Sequence, residues 1–189
     1  MRVVKLGGSL LRDPLLPAWL DRIARAGRCA VVPGGGAFAD AARAAQAHWR
    51  VDDVAAHNMA VLGMAQVANL LHGLEPRLAL ADSTDGLGAH LATGRAAIWL
   101  PLELQREAAD ALTRWDVTSD SLAAWLALRL GANELVLVKS CAVPAAATPA
   151  ELAAAGIVDR AFPGYAAQCA RAGIACRVVD RSGFDIGLG

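Results

Sequence analysis

Six short apolar runs recur along the chain, at Arg2–Leu6, Arg28–Val32, Arg77–Ala81, Ala97–Leu100, Leu135–Val138 and Ala175–Val179. Stretches with helical periodicity lie between most of them, at roughly Leu15–Ala26, Phe38–Trp49, Asp52–His72, Glu103–Leu112, Asp120–Leu130 and Ala161–Ala172. A strand that is apolar throughout, rather than at alternate positions, must be covered on both faces. Such runs alternating with helices predict an α/β fold: a mostly parallel central sheet between two helical layers, a three-layer sandwich. No repeat, low-complexity tail or linker divides the 189 residues, which read as one domain. The Ala/Pro-rich stretch Ala142–Ala150 is the one loop-like shift in composition. It follows a strand end, where a flap over a site would lie.

Hydrophobic residues make up 56% of the chain and charged residues only 19%. A sheet core uses part of that; the rest asks for apolar surface covered by another subunit. The segment Val54–Leu74 carries no formal charge, yet His57, Asn58, Gln66, Asn69 and His72 are too many polar groups for hydrocarbon. The expectation is a helix packed on the sheet with one side and on a second copy with the other. That gives a homodimer or larger homo-oligomer and no membrane span. A formal net charge of zero offers nucleic acid no basic field. Four cysteines without a CxxC pair, and a chain that opens directly on a strand with no room for a leader peptide, point to the cytoplasm.

The stretch Val3–Leu10, VVKLGGSL, ends a buried strand in a double glycine. This is how α/β proteins bring bare backbone N–H groups to a phosphate. Lys5 and Lys139 are the only two lysines, against sixteen arginines, and Lys139 closes the run Leu135–Val138. A compact ammonium at each of two strand ends suits a crowded phosphate site better than a guanidinium fork does. Two lysines reaching from strand ends to solvent are the plainer alternative.

A second cluster, VVPGGGAFAD, sets Gly34, Gly35 and Gly36 between a strand and a helix, again allowing close backbone approach at a positive helix end. The same letters fit the GxGxxA of a dinucleotide fold, which wants an acid ending a strand about 20 residues further on. Asp52 and Asp53 have roughly that spacing but precede a long helix. In WDVTSDSLAA, Thr118, Ser119 and Asp120 are all natural helix starters, so an ordinary N-cap accounts for any one of them. Two hydroxyls, two carboxylates and a further serine just before the second lysine strand admit another reading. Asp120 would hold Lys5 and Lys139 in register, while Thr118 and Ser119 offer hydroxyls to phosphate or substrate.

Taken in order, VVKLGGSL, VVPGGGAFAD, WDVTSDSLAA and LVLVKS resemble the amino acid kinase superfamily over nearly the whole chain. The short length and the WDVTSDS segment look most like its branch in methanofuran biosynthesis. That branch converts 5-(aminomethyl)-3-furanmethanol phosphate to the diphosphate. The resemblance implies an ATP-dependent kinase with an acceptor-side half, about 1–115, and a nucleotide-side half, about 116–189. It implies Lys5 on the transferred phosphoryl group and Asp120 organising the catalytic lysines. It also implies Gly7, Gly8, Ser9 and Ser140 on the nucleotide phosphates, and Gly34, Gly35 and Gly36 receiving the acceptor. Many relatives have a Thr-Asp pair where this chain has Lys139-Ser140, and carry a second lysine in a later glycine-rich loop. No lysine follows Lys139 here, which leaves Lys139 or Arg160 to supply that charge.

Phosphoryl transfer needs positioning and charge neutralisation more than covalent help. Two glycine nests, two ammonium groups and Mg²⁺ bridging the nucleotide phosphates would meet that need. An acceptor that is itself a phosphate is already ionised and requires no general base, so His48 and His57 read as ordinary helix histidines. It still requires a cation, and Arg43, one turn beyond Asp40, is the nearest candidate. A carboxylate or carbamate acceptor on the same fold stays open, as does a non-catalytic protein that binds a nucleotide or oxyanion.

Overall fold

The structure, a computed structural model, describes residues 1–184. Six strands, β1 (Arg2–Leu6), β2 (Cys29–Pro33), β3 (Ala79–Ala81), β4 (Ala97–Trp99), β5 (Glu134–Lys139) and β6 (Ala175–Asp180), form one sheet in the order β3-β4-β2-β1-β5-β6. Every neighbouring pair is parallel. Among the described residues the helices are α1 (Leu16–Ala26), α2 (Gly36–Trp49), α3 (Asp53–Leu74), α4 (Thr84–Ala92), α5 (Ser119–Leu130), α6 (Pro149–Ala154) and α7 (Phe162–Arg171).

Successive residues of a strand point to opposite faces, so each strand serves two cores. Val3, Val32, Leu135 and Leu137 pack under α5 and α7 with Leu122, Leu126 and Phe162. Val4, Leu6, Val31 and Val136 pack under α1 with Trp19, Leu20 and Ile23. By the same alternation Lys5 and Lys139 lie on the α5 face, at the carboxyl ends of adjacent strands. The chain runs from β1 to β2 on one side and comes back to β5 on the other. Strand order therefore reverses at β1, and in open parallel sheets that reversal opens a ligand crevice at the carboxyl ends.

Helix α3 joins both cores, through Val61 and Met64 in one and Val67 and Leu71 in the other. By length and composition it is apolar enough to cross a membrane. Its outward stripe, Met59, Leu62, Leu70 and Leu74, stays 38% to 45% exposed.

Three segments differ from expectation. Glu103–Leu112 is not a helix; one 3-10 turn, Leu102–Leu104, gives way to irregular chain. The Asn58 side chain donates to the Arg106 carbonyl and accepts from the Arg106 N–H, at 2.8 Å each, taking up the backbone groups a helix would use. Helix α4 forms where two glycines obscure the periodicity, and the Ser83 side chain caps it by accepting from Gly86 N at 3.2 Å. Helix α6 starts inside the Ala142–Ala150 stretch, at a capping box made by Thr148 and Glu151.

Candidate active site

The crevice at the end of β1 is built around one carboxylate. Asp120, in the first turn of α5, is 3% exposed. Lys5 Nζ lies 2.8 Å from its Oδ1, and Lys139 Nζ donates to its Oδ2 at 2.6 Å. The strands on which the lysines sit are neighbours, which is why two residues so distant in sequence share one partner. Burial alone would push the Asp120 carboxyl up. The charges of Lys5 and then Lys139 outweigh it and hold the group below its ordinary value. Lys139 is itself lowered, by burial and by the like charge of Lys5, against the pull of Asp120. Of the two candidates for a second cation, Lys139 meets Lys5 at this carboxylate. Arg160 is 87% exposed and lies 3.9 Å from Asp116.

Asp159, which the sequence reading did not single out, completes the arrangement. Its carboxylate accepts from Thr118 N and Oγ1, at 2.8 Å each, and from Ser121 N at 3.0 Å and Ser121 Oγ at 2.5 Å. It also accepts from Phe162 N at 2.9 Å. One side chain therefore caps α5 and α7 together. Thr118 occupies the N-cap position of α5, yet its hydroxyl makes no capping bond. The capping that Thr118, Ser119 or Asp120 could have supplied comes from Asp159. The one local hint was an acid three residues before a helix start.

The loops after β1 and β2 touch backbone to backbone. Gly34 N donates to the Leu6 carbonyl at 2.8 Å, and a Cβ on Gly34 would lie 2.5 Å from Gly8 N. A Cβ on Gly7 would lie 3.5 Å from Lys5 Nζ, so this loop passes directly over the lysine. Helix α2 starts without a side-chain cap, and its first-turn N–H groups have no partners within the helix. Ser9 Oγ and Ser140 Oγ, 2.8 Å apart, link the β1 loop to the end of β5. Ammonium groups, bare backbone N–H groups and the uncapped start of α2 around one opening suit a polyphosphate.

A cavity of about 340 Å³ opens beside the glycine loops. Gly8, Ser9 and Gly34 to Gly36 line its floor, and Asp40, Arg43, Thr118 and Ser119 line its sides. Thr118 gives its hydroxyl proton to Asp159, so toward the cavity it offers only an acceptor oxygen. Further lining residues not anticipated from the sequence include Asp53, His57 and Trp115. Arg43 lies over the Trp115 ring, 4.3 Å from its centre. Trp115 Nε1 donates to Gln46 Oε1, and Gln46 Nε2 donates to Asp53 Oδ1 at 2.8 Å. His57 Nε2 donates to the Leu104 carbonyl at 2.8 Å, which leaves Nδ1 as the acceptor of the neutral ring. His48 stands edge-on to Trp49 and is not among the lining residues. The dinucleotide alternative fails on geometry. Asp52 caps α3 through Ala55 N at 2.7 Å, so neither acid of the pair ends a strand. A second cavity, about 420 Å³, lies beyond Lys139 between the 143–149 segment and Val178–Asp180.

Comparison with known proteins gives the family and the fold of the chain. The sequence model described as the Amino acid kinase family matches residues 1–142. A relative, the (5-(aminomethyl)furan-3-yl)methyl phosphate kinase of Methanocaldococcus jannaschii, is 28% identical over 141 residues, which are 72% of this chain and 64% of that protein. The chain thus spans somewhat under two thirds of that relative's length. The fold is shared with the uridylate kinase of Archaeoglobus fulgidus, at a TM-score of 0.70 and 18% identity over 95% of this chain and 90% of that one. The UMP kinase of Ureaplasma parvum superposes equally well, at 0.70 and 15% identity over 96% and 89% of the two chains.

Proposed function

This chain belongs to the amino acid kinase family, and from that premise we propose that it is a kinase that transfers the γ-phosphoryl group of ATP to a small, already phosphorylated acceptor of the aminomethylfuran type, yielding a diphosphate. The observation that carries the proposal is the Asp120 carboxylate shared by Lys5 and Lys139 beneath paired glycine loops. A protein that merely held a nucleotide would have use for the loops. It would have less use for two buried ammonium groups drawn to one point, which neutralise charge moving between donor and acceptor.

Lys5 would stabilise the phosphoryl group in flight, and Lys139 the charge left on the leaving nucleotide. Asp120 keeps the two from repelling each other. An oxygen of the acceptor phosphate forms the new bond to phosphorus, and the bond to the bridging oxygen of ADP breaks. The acceptor is ionised from the start, so no side chain has to remove a proton. The 420 Å³ cavity, lined by Asp180, the register partner of Lys139 across β5 and β6, suits the nucleoside. Among the described residues no group of three His, Cys, Asp or Glu could hold a metal ion, and Asp120 has both oxygens on lysines. Mg²⁺ would therefore arrive on the nucleotide and neutralise its phosphates.

The acceptor class rests on the relative's substrate and on the charge of the 340 Å³ cavity. Arg43 and the bare N–H groups suit a phosphate, and Trp115 offers an aromatic wall. Asp40 and Asp53 suit a cation, and Asp40 has no partner of its own among the described residues. A molecule carrying both an ammonium and a phosphate answers every one of these groups. UMP would leave Asp40 unanswered, whereas Asp53 already accepts from Gln46 Nε2.

The test is to incubate the chain with ATP, Mg²⁺ and a panel of acceptors, identifying products by mass. The panel holds the aminomethylfuran phosphate, UMP and small carboxylates. A diphosphate from the amine phosphate is expected. Turnover of UMP or a carboxylate instead would reassign the acceptor, and ATP binding without transfer to any of them would leave a binding protein. The α3 stripe supports a homodimer formed across that helix, and cysteines left as free thiols suit the cytoplasm.

A further inference from the structure

We infer that Asp159 is a positioning residue for phosphoryl transfer: by capping α5 and α7 together and giving its backbone N–H to Asp120, it fixes the carboxylate at which Lys5 and Lys139 meet. The catalytic part of this inference rests on the kinase reading above; the geometric part stands without it.

Asp159 grips the first turn of α5 at two places, Thr118 and Ser121, each through backbone N–H and hydroxyl together. Asp120 lies between those two residues. With both ends of the turn held, the Asp120 side chain is committed to the lysine side of the helix. A sixth contact serves neither helix: Asp159 N donates to Asp120 Oδ2 at 3.3 Å, on the same oxygen that Lys139 uses.

The charges point the same way. Each helix start carries roughly half a positive charge. Two such ends beside two ammonium groups would press the lysines apart with only Asp120 to hold them. Asp159 answers the helix ends, which leaves Asp120 wholly to the lysines. The charged groups acting on Lys139 are Lys5, Asp120 and Asp159, and Asp159 works to keep it protonated.

The chain's own composition supplies a direct readout, because Lys5 and Lys139 are its only lysines. Isotopic labelling of lysine therefore gives two side-chain signals, both from this site. The experiment compares the parent with Asp159→Asn, and with Ser83→Ala, which removes the cap of α4, a helix that lines neither cavity. Each protein is titrated by NMR and assayed well below its melting temperature. In Asp159→Asn the Lys139 signal should titrate at lower pH. Its kcat should fall at least about tenfold with the KM values for ATP and acceptor changed less than about threefold. Ser83→Ala should lose melting temperature while keeping both the lysine titration and kcat. If Asp159→Asn does not fold, Asp159→Ser, which still offers an oxygen to Phe162 N, is put through the same comparison. Lysine titrations unchanged in a folded Asp159 variant would overturn the inference, whatever happened to its melting temperature. A parent that phosphorylates no acceptor would sink the kinase reading, and the titration would still decide on Asp159.

Discussion

A Cβ placed on Gly8 would lie 2.3 Å from both the Cα and the backbone nitrogen of Gly36. The loops ending β1 and β2 are stacked at a distance that only glycine permits. Gly8→Ala forces them apart, at a cost of about 1–3 kcal/mol, the usual range for overpacking. Turnover should fall at least tenfold as the N–H groups lose their common aim. Gly88 in α4 makes the contrast, since a Cβ there meets nothing within 4 Å. Gly88→Ala should raise stability by roughly 0.5–1 kcal/mol, as expected for a helix interior. Thermal melts and steady-state rates on the two variants check both statements.

Lys5→Ala removes the ammonium nearest the β1 loop while leaving Lys139 on Asp120. Removing one electrostatic stabiliser of a transition state typically costs about 10²–10³ in kcat. The dissociation constant for ATP, measured by calorimetry, should change far less. A variant with near-normal turnover would take Lys5 out of catalysis.

Asp120→Asn separates a helix cap from an ion-pair hub. A cap replaced by Asn would be almost silent, within about 1 kcal/mol. Here Asn leaves two buried ammonium groups facing each other, and breaking such a buried pairing costs about 3 kcal/mol. Turnover should fall at least about tenfold, or roughly 1.4 kcal/mol of barrier. Denaturant melts together with kinetics decide.

Opposite ends of the pH scale test the same cluster. Asp120 sits below 3.8 in the fold, so the stability it contributes is fully present above 3.8 and drains away as pH falls through its folded value. Lys139 sits below 10.5, because the fold disfavours its ammonium. Stability relative to Lys139→Met should therefore rise as pH climbs through the folded value toward 10.5. Over that same interval kcat/KM should fall, as the ammonium is lost. Melting temperatures and rates falling together there would contradict this account of Lys139.

The outward stripe of α3 predicts the oligomeric state. Leu62→Glu combined with Leu70→Glu sets two charges in it and should convert a dimer to a soluble monomer in sedimentation experiments. A parent already monomeric at micromolar concentration would remove the proposed interface.

What the sequence discloses is what local pattern can carry. Apolar runs alternating with helices specify a parallel sheet, and glycines directly after two of those runs mark where the two loops meet backbone to backbone. Lys5 and Lys139 draw notice because the chain otherwise uses arginine. Asp159 is invisible at that level: its partner Thr118 is 41 residues away, and only the packing of α5 against α7 brings them together. His57 enters the cavity because α3 lies against Leu104, 47 residues on. Glu103–Leu112 misleads for the same reason, since the Asn58 side chain, and not the segment's own composition, decides its backbone.

The central place of β1 bears on how the protein is made. Arg2 is in register with Cys29 on one side and with Glu134 on the other. During synthesis, then, one edge of β1 finds its neighbour early, and the other waits until most of the remaining chain has left the ribosome. Through most of that interval Lys5 is a charge near the end of the central strand whose partner, Asp120, is not yet translated. Pairing across so long a stretch is slow, and an open edge of this kind invites the wrong neighbour. A chain terminated anywhere before α5 would be inert and a client for chaperones, never a weakly active fragment.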